Sequence, residues 1–405
     1  MTMRNIFGSI FIILSFTTVS CVDHSLNDRF AGWDAVHMQH VRKELKRQSS
    51  LYQSAYEKLI SDAEDALGKG PFSVTFKTFI PPGGTKNDYM SQGPYWWPDT
   101  TKPDGLPYIR KDGVSNPESR MDREQLGNLV TTTRILSLAW FFTGEEKYAA
   151  RAAFLLKTWF IDPETKMNPH LEYGQAIPGR TAGRGIGIID VRSLYTLVDA
   201  ITLVETSGEL SAGEINIIKA WFGDFFTWLT TSSHGKDEDD YHNNHSVAYD
   251  VIVTSIARYL GNNDYVARKI SEMPARRIDP MIEADGRQPE ELIRTNAFGY
   301  SVGNLRNFFD AGEIGLKVGV NIFSYTNPEG GSLRRALDFL AGFIDREEEW
   351  EWQQIGGFAG SMNNMALLLR RAARYYDEPA YRQLWEEKFA EKMKTEWSML
   401  VTPGF

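Results

Sequence analysis

The chain has almost no cysteine. One thiol among 405 residues, Cys21, leaves no second partner for a disulfide, no zinc-thiolate set and no thiolate nucleophile within the body of the protein. It also lacks excess positive charge. A formal net charge of -9 argues against nucleic acid as a partner and makes any basic surface a local matter. No third histidine stands at a helical zinc-protease spacing beside His242 and His245, and Asp237, Asp239 and Asp240 upstream specify no single ion, so no metal is expected. No internal repeat of fixed period is present, which disfavours a regular solenoid. Long apolar runs are missing as well: Ile6 to Phe16 is too short to span a bilayer.

That apolar stretch follows Arg4 and precedes Thr18-Val19-Ser20-Cys21. Residues 1–21 therefore read as an export signal of the lipoprotein type, with a lipid anchor at Cys21 and a periplasmic, outer-membrane or cell-surface location. Residues 22–405 carry no linker and are read as a single domain, expected to be a monomer. At 42% hydrophobic and 24% charged residues, this domain can bury a large core. Aromatic residues make up 13%, enough both for that core and for rings that stack on sugars.

Apolar residues recur at helical spacing in pair after pair. Leu126, Leu129, Val130, Leu136 and Trp140 precede Gly144, and Tyr148, Ala152, Leu155, Leu156 and Trp159 follow it. A second pair spans 190–205 and 211–231, the latter opened by a Ser211-x-x-Glu214 capping box. Further pairs are expected at 246–260 with 264–275, 299–318 with 332–345, 360–376 with 379–397, and 33–47 with 50–67. Six to seven consecutive helical hairpins predict an all-α fold, an incomplete α/α toroid around a central cleft. Residues 71–121 and 162–185, rich in Gly, Pro, Asn and aromatic residues, are long loops of the kind that shape a binding site.

Three segments carry candidate chemistry. Tyr241-His242-Asn243-Asn244-His245-Ser246 precedes a helix expected to start near Val247, where free N–H groups and the Asn244 and His245 side chains can hold a carboxylate. Simple capping by Asn or Ser is the alternative. Asp285 to Tyr300 places Arg294 six residues before Tyr300. A guanidinium clamps carboxylates, and a phenol beside cations is expected to have a lowered pKa and to act as base and acid. Asp88 to Asp99 holds Tyr95, Trp96 and Trp97 in a Pro-bounded loop suited to stacking on sugars, though tryptophans also bury loops onto helices. Basic clusters at Arg110, Lys111, Arg120 and Arg123 and at Arg180, Arg184 and Arg192 allow a basic groove on an acidic body.

Asn243-Asn244-His245-Ser246, the Arg294 to Tyr300 stretch and the Tyr95-Trp96-Trp97-Pro98 loop together resemble the alginate lyase superfamily of α/α-toroid polysaccharide lyases. The chain is most similar to polysaccharide lyase family 38 and less so to family 5, from about Tyr89 to Tyr376, with Arg184 to Asp190 included. It departs from the family 5 pattern where Val247-Ala248 replace an aromatic pair, and in an Arg-to-Tyr spacing one residue shorter. The resemblance implies cofactor-free β-elimination of an anionic polysaccharide, alginate or a related uronan such as a glucuronan. Asn244, His245 and Arg294 would neutralise the uronate carboxylate and Tyr300 would transfer the protons, with Tyr95, Trp96, Trp97, Arg123, Asn128, Arg184 and Tyr241 contacting substrate. Two other functions compete. A glycoside hydrolase would need a carboxylate pair drawn from Glu172, Asp190, Glu290 and Glu291, and a surface glycan-binding lipoprotein would need only the aromatic loop.

Overall fold

The computed structural model describes residues 26–47, 50–119 and 121–404. The export signal, Cys21 and Arg120 lie outside the described residues. Helices account for most of the chain, and they follow the apolar spacing closely. Met121–Thr143 and Glu146–Phe160 form the hairpin broken at Gly144. Ala212–Thr231 begins with both hydrogen bonds of the Ser211/Glu214 capping box in place. The N-terminal pair is Ala35–Lys46 and Ser50–Ala66. One expected element is broken: 379–397 ends as a helix at Lys388, and only a turn at Ala390–Met393 follows.

Alternate helices pack against one another to make an inner ring. Met121–Thr143 contacts Leu194–Glu205, which contacts Asn244–Tyr259, which in turn packs on Ala297–Leu316 and from there on Met362–Ala372. Glu146–Phe160, Asn263–Met273 and Leu333–Ala341 pack outside them. Ser398–Val401 returns to Ala35–Lys46 and Ser50–Ala66, so the C-terminal end meets the N-terminal pair. This is the α/α toroid. Asn244–Tyr259 is buried on every side from Ser246 onward, as a helix enclosed by neighbours must be.

The long loops fold over one end of the ring and are pinned by two small sheets. Met90–Gln92 pairs in parallel with Tyr173–Ala176, and Trp96–Trp97 pairs antiparallel with Ile109–Arg110. Behind the first sheet, Gly187 passes so close to Gly174 that an added Cβ would lie 2.5 Å from the Gly174 carbonyl group. Only glycine allows that approach. Among the described residues, no helix is long and apolar enough to cross a membrane.

The ring is cross-braced by a buried charge network. Asp310 on Ala297–Leu316 accepts from Arg192 (2.8 Å) and Arg371 (2.8 Å) and lies 3.9 Å from Arg306, while Arg371 also bonds both oxygens of Glu313. Burial alone would raise the Asp310 carboxyl, but the three guanidinium groups hold it below the usual range. Arg192, expected near the cleft, belongs to this brace instead. Replacing Asp310 by Ala removes the buried carboxylate shared by Arg192, Arg306 and Arg371 and leaves only Glu313 to pair with Arg371, so Asp310→Ala should destabilise the fold by about 3 kcal/mol, read as a lowered denaturation midpoint in urea.

Candidate active site

Asn244–Tyr259 and Ala297–Leu316 pack most closely on each other of all the helix pairs, and their N-termini open side by side beneath the loops. Between them and the Tyr95 loop lies a cavity of about 610 Å³. Its walls include Tyr95, Trp96, Arg110, Arg123, Arg184, Tyr241, Asn244, His245, Glu290, Arg294 and Tyr300. All four residues singled out for chemistry are therefore in one place. Arg110, Arg123 and Arg184 give this cleft a basic wall despite the acidic whole.

Tyr300 stands at the meeting point of two partners. Arg294 Nη2 donates to its hydroxyl at 2.9 Å, and the Tyr95 and Tyr300 hydroxyls share a hydrogen bond at 2.6 Å. The guanidinium also lies 4.0 Å from the Tyr300 ring centroid. The expectation of a lowered phenol pKa is reversed. Burial and the neighbouring Tyr95 push Tyr300 well above the ordinary tyrosine value, and the Arg294 cation only partly opposes them. Tyr95, expected to contact sugar, lines the cavity with its hydroxyl engaged with Tyr300.

Arg294 is itself held from the loop side. Asp112 Oδ1 accepts from its Nη2 at 3.0 Å, and Asp112 Oδ2 lies 3.4 Å from its Nε and also accepts from Thr295 Oγ1 at 3.2 Å. Asp112 fixes the fork that faces Tyr300.

The helix after the Asn-Asn-His motif begins at Asn244, three residues before its expected start, so Asn244 and His245 sit in its first turn. Its terminal N–H groups are not free for a ligand. Asn243 caps the helix, its Oδ1 accepting from His245 N at 3.0 Å, and its carbonyl accepts from Ser246 N at 3.2 Å. Glu291 takes the rest: its Oε1 accepts from Asn244 N at 2.6 Å and its Oε2 from Asn244 Nδ2 at 2.8 Å. Burial pushes the Glu291 carboxyl up to about 7, against the lowering effect of those two bonds, Arg294 and His245.

His245 is backed by a second buried acid. Its Nδ1 lies 2.9 Å from Glu238 Oε1, which assigns Nδ1 to the carboxylate and leaves Nε2 for the cleft. Glu238 is fully buried, its Oε2 has no partner among the described residues, and burial raises its pKa against the pull of His245. Tyr241 packs on the imidazole at 5.8 Å between ring centroids.

Several expected contacts fall elsewhere. Asn128 is exposed on its helix and does not line the cavity. Trp97 is also outside it: its Nε1 donates to the Val114 carbonyl and Lys111 lies over its ring at 5.2 Å, so it fastens the loop. Trp96 remains in the wall, with the Arg180 guanidinium over its ring at 5.2 Å from the centroid. Arg184 reaches the cavity while bonded through Nε and Nη2 to Gln175, and Arg123 lies 3.6 Å from Asp190. His242 is exposed, and among the described residues no group of three or more His, Cys, Asp or Glu forms a metal cluster.

The carboxylates nominated for hydrolysis do not face each other across the cleft as a free pair. Asp190 is buried and receives Tyr89, Ser91 and Gln175, Glu172 receives Trp228 Nε1 at an exposed position, and Glu291 is committed to Asn244. Sequence reasoning missed Asp112, Glu238 and the clamping role of Glu291. The only signal was their position in polar segments beside the named motifs, because each acts through a contact distant in sequence or across a turn.

Comparison with known proteins agrees with this geometry. The family model described as alginate lyase matches residues 73–350. The crystal structure of an alginate lyase from Bacteroides ovatus is 41% identical, covers 91% of this chain and 97% of its own, and superposes with a TM-score of 0.88. Alginate lyase A1-III from Sphingomonas species A1 is 15% identical over 79% of each chain with a TM-score of 0.52. A variant of that protein complexed with tetrasaccharide gives 0.58 at 15% identity, covering 86% of this chain and 89% of its own. At such low identity these two speak for the toroid alone. No curated protein matches the chain. The match over most of the chain and the close structural relative exclude the hydrolase and the non-enzymatic glycan-binding readings: the chain belongs to the alginate lyase family and is a polysaccharide lyase.

Proposed function

We propose that this enzyme cleaves alginate or a closely related 1,4-linked uronan by β-elimination, with Tyr300 as the group that moves the protons. The observation that carries this reading is the Tyr300 hydroxyl, bonded to the Arg294 guanidinium at 2.9 Å in the same cavity wall as Asn244 and His245. Tetrasaccharide bound to the Sphingomonas protein supports an oligosaccharide-sized cleft here. Val247-Ala248 and the six-residue Arg-to-Tyr spacing favour family 38 as its subgroup.

The chemistry follows from charge. The C5 proton of a uronate is weakly acidic while the adjacent carboxylate is ionised, because removal would add a second negative charge beside the first. Arg294, His245 and Asn244 offset that charge and stabilise the enolate-like intermediate. The Tyr300 phenolate takes the C5 proton, the C4–O4 bond breaks, and the resulting phenol returns its proton to O4. The phenolate is thereby regenerated, and the product carries a C4–C5 double bond. Burial holds the free phenol neutral near pH 7, so the ionised fraction grows with pH and Arg294 is the cation that makes it accessible. For the C5 epimer, whose proton lies on the opposite face, His245 Nε2 acts as base in this reading, which the contact between Nδ1 and Glu238 supports. We also propose that residues 1–21 direct export and that Cys21 carries a lipid anchor, a reading that rests on the Arg4, apolar and Cys21 pattern.

Turnover should appear as ultraviolet absorbance of a conjugated unsaturated uronate with no requirement for water addition at C1; reducing ends without that chromophore would overturn β-elimination. Tyr300→Phe removes one oxygen and should lower kcat by about 10²- to 10⁴-fold on mannuronate-rich substrate while the melting curve is kept. Asp112→Ala releases the Arg294 fork, so kcat/KM should fall by about tenfold with little change in stability, since partly exposed pairs contribute little to folding. Prolonged treatment with a chelator, followed by assay without added metal, should leave the rate within about twofold, because the neutralising charge comes from side chains.

A further inference from the structure

We propose that Glu291 is a proton-coupled positioning residue, whose carboxylate takes up a proton from solvent when a uronate carboxylate docks and thereby lets the Asn244 amide turn its nitrogen towards the substrate. This rests on the reading of the cleft as a uronate site.

As the carboxylate, Glu291 can only accept. Its two oxygens therefore claim two donors, Asn244 N at 2.6 Å and Asn244 Nδ2 at 2.8 Å. This fixes the amide with its nitrogen turned to the protein. Among the described residues nothing bonds Asn244 Oδ1, and the residue lines the cavity. An amide so oriented has the wrong polarity for a carboxylate, which needs donors.

Among the described residues, Glu291 also has no counter-ion of its own. The two nearby basic groups are Arg294 and His245, and each is committed to another acid, Arg294 to Asp112 and His245 to Glu238. Beneath it, Gln288 is engaged with the Ser301 carbonyl and with Asn304, both uncharged. Glu290, its neighbour, adds only negative charge to the cavity wall. A substrate carboxylate brought against Asn244 thus meets a buried anion directly behind the amide, and in a site this enclosed such repulsion is weakly screened.

One proton resolves both conflicts. Protonated Glu291 keeps one oxygen as acceptor for Asn244 N, and its new O–H donates to Asn244 Oδ1 after a half-turn of the amide. Nδ2 is then free to donate to the substrate carboxylate. The proton comes from solvent and stays on Glu291 until product leaves. Burial already brings the carboxyl close to this balance in the empty site.

Gln is a mimic of the protonated form, since its Oε1 can accept from Asn244 N while its Nε2 donates to Asn244 Oδ1. The test uses the full chain carrying Tyr300→Phe, titrated at pH 8 with a mannuronate tetrasaccharide in two buffers of different ionisation enthalpy. Calorimetry should report uptake of close to one proton per ligand, and Glu291→Gln in the same background should bind with no such uptake. In the Tyr300 enzyme, the ratio of kcat/KM for Glu291→Gln to that of the unmodified chain should rise by about tenfold per pH unit above roughly pH 7.5. A residue that only braces the helix would give a ratio independent of pH. Binding without proton uptake in the Glu291 protein, or unchanged uptake in Glu291→Gln, overturns the proposal. The first measurement needs no Glu291 variant, so a poorly folding substitution does not shield it. Absence of both tetrasaccharide binding and turnover would instead overturn the uronan reading itself.

Discussion

The side-by-side packing of Asn244–Tyr259 and Ala297–Leu316 is the constraint on which the site depends. Each helix begins at the cleft, so their first turns deliver Asn244, His245 and Tyr300 to one cavity, and the segment before the second brings Arg294 and Glu291. The register between the helices is held below by apolar burial and by the Asp310 brace, and Asn307 ties the two directly by donating to the Asn244 carbonyl at 3.3 Å. Arg192 bonds the same Asn307. The fold and the cavity therefore share a frame, because a slip of one helix by a fraction of a turn would separate Tyr300 from Asn244 and His245.

Charge is arranged in layers around that frame. The whole molecule is acidic, yet the cleft wall presents Arg110, Arg123, Arg184 and Arg294. Behind this basic surface stand Asp112, Glu238 and Glu291, which orient the groups that would meet an anionic sugar. Such backing acids fix geometry, and they differ in charge behaviour: the arginines beside Asp112 hold its carboxyl below the usual range, whereas burial raises Glu238 and brings Glu291 up to about 7.

Much of this was legible in the chain. The helical hairpins followed from apolar spacing, and the Ser211/Glu214 cap appeared where the motif placed it. Asn244, His245, Arg294 and Tyr300 could be picked from two polar segments that lead into helices. The start of the helix was misjudged by three residues because Asn243, rather than a residue nearer Val247, makes the capping bond. Trp97 looked like a sugar platform because its sequence neighbours are aromatic, but a backbone carbonyl and Lys111 claim it.

The sequence by itself determined the fold class and the set of candidate side chains that the cavity brings together, because helical periodicity and side-chain chemistry are local properties of the chain. The protonation state of those groups was decided only by tertiary structure. Tyr300 beside a cation reads as a phenol made acidic, yet burial and the Tyr95 hydroxyl, 205 residues away in sequence, reverse the direction. Glu291 reads in the sequence only as a candidate for a hydrolytic carboxylate pair, yet the fold buries it against Asn244, 47 residues away. Desolvation depends on what surrounds a group in three dimensions, and no local pattern of residues encodes it.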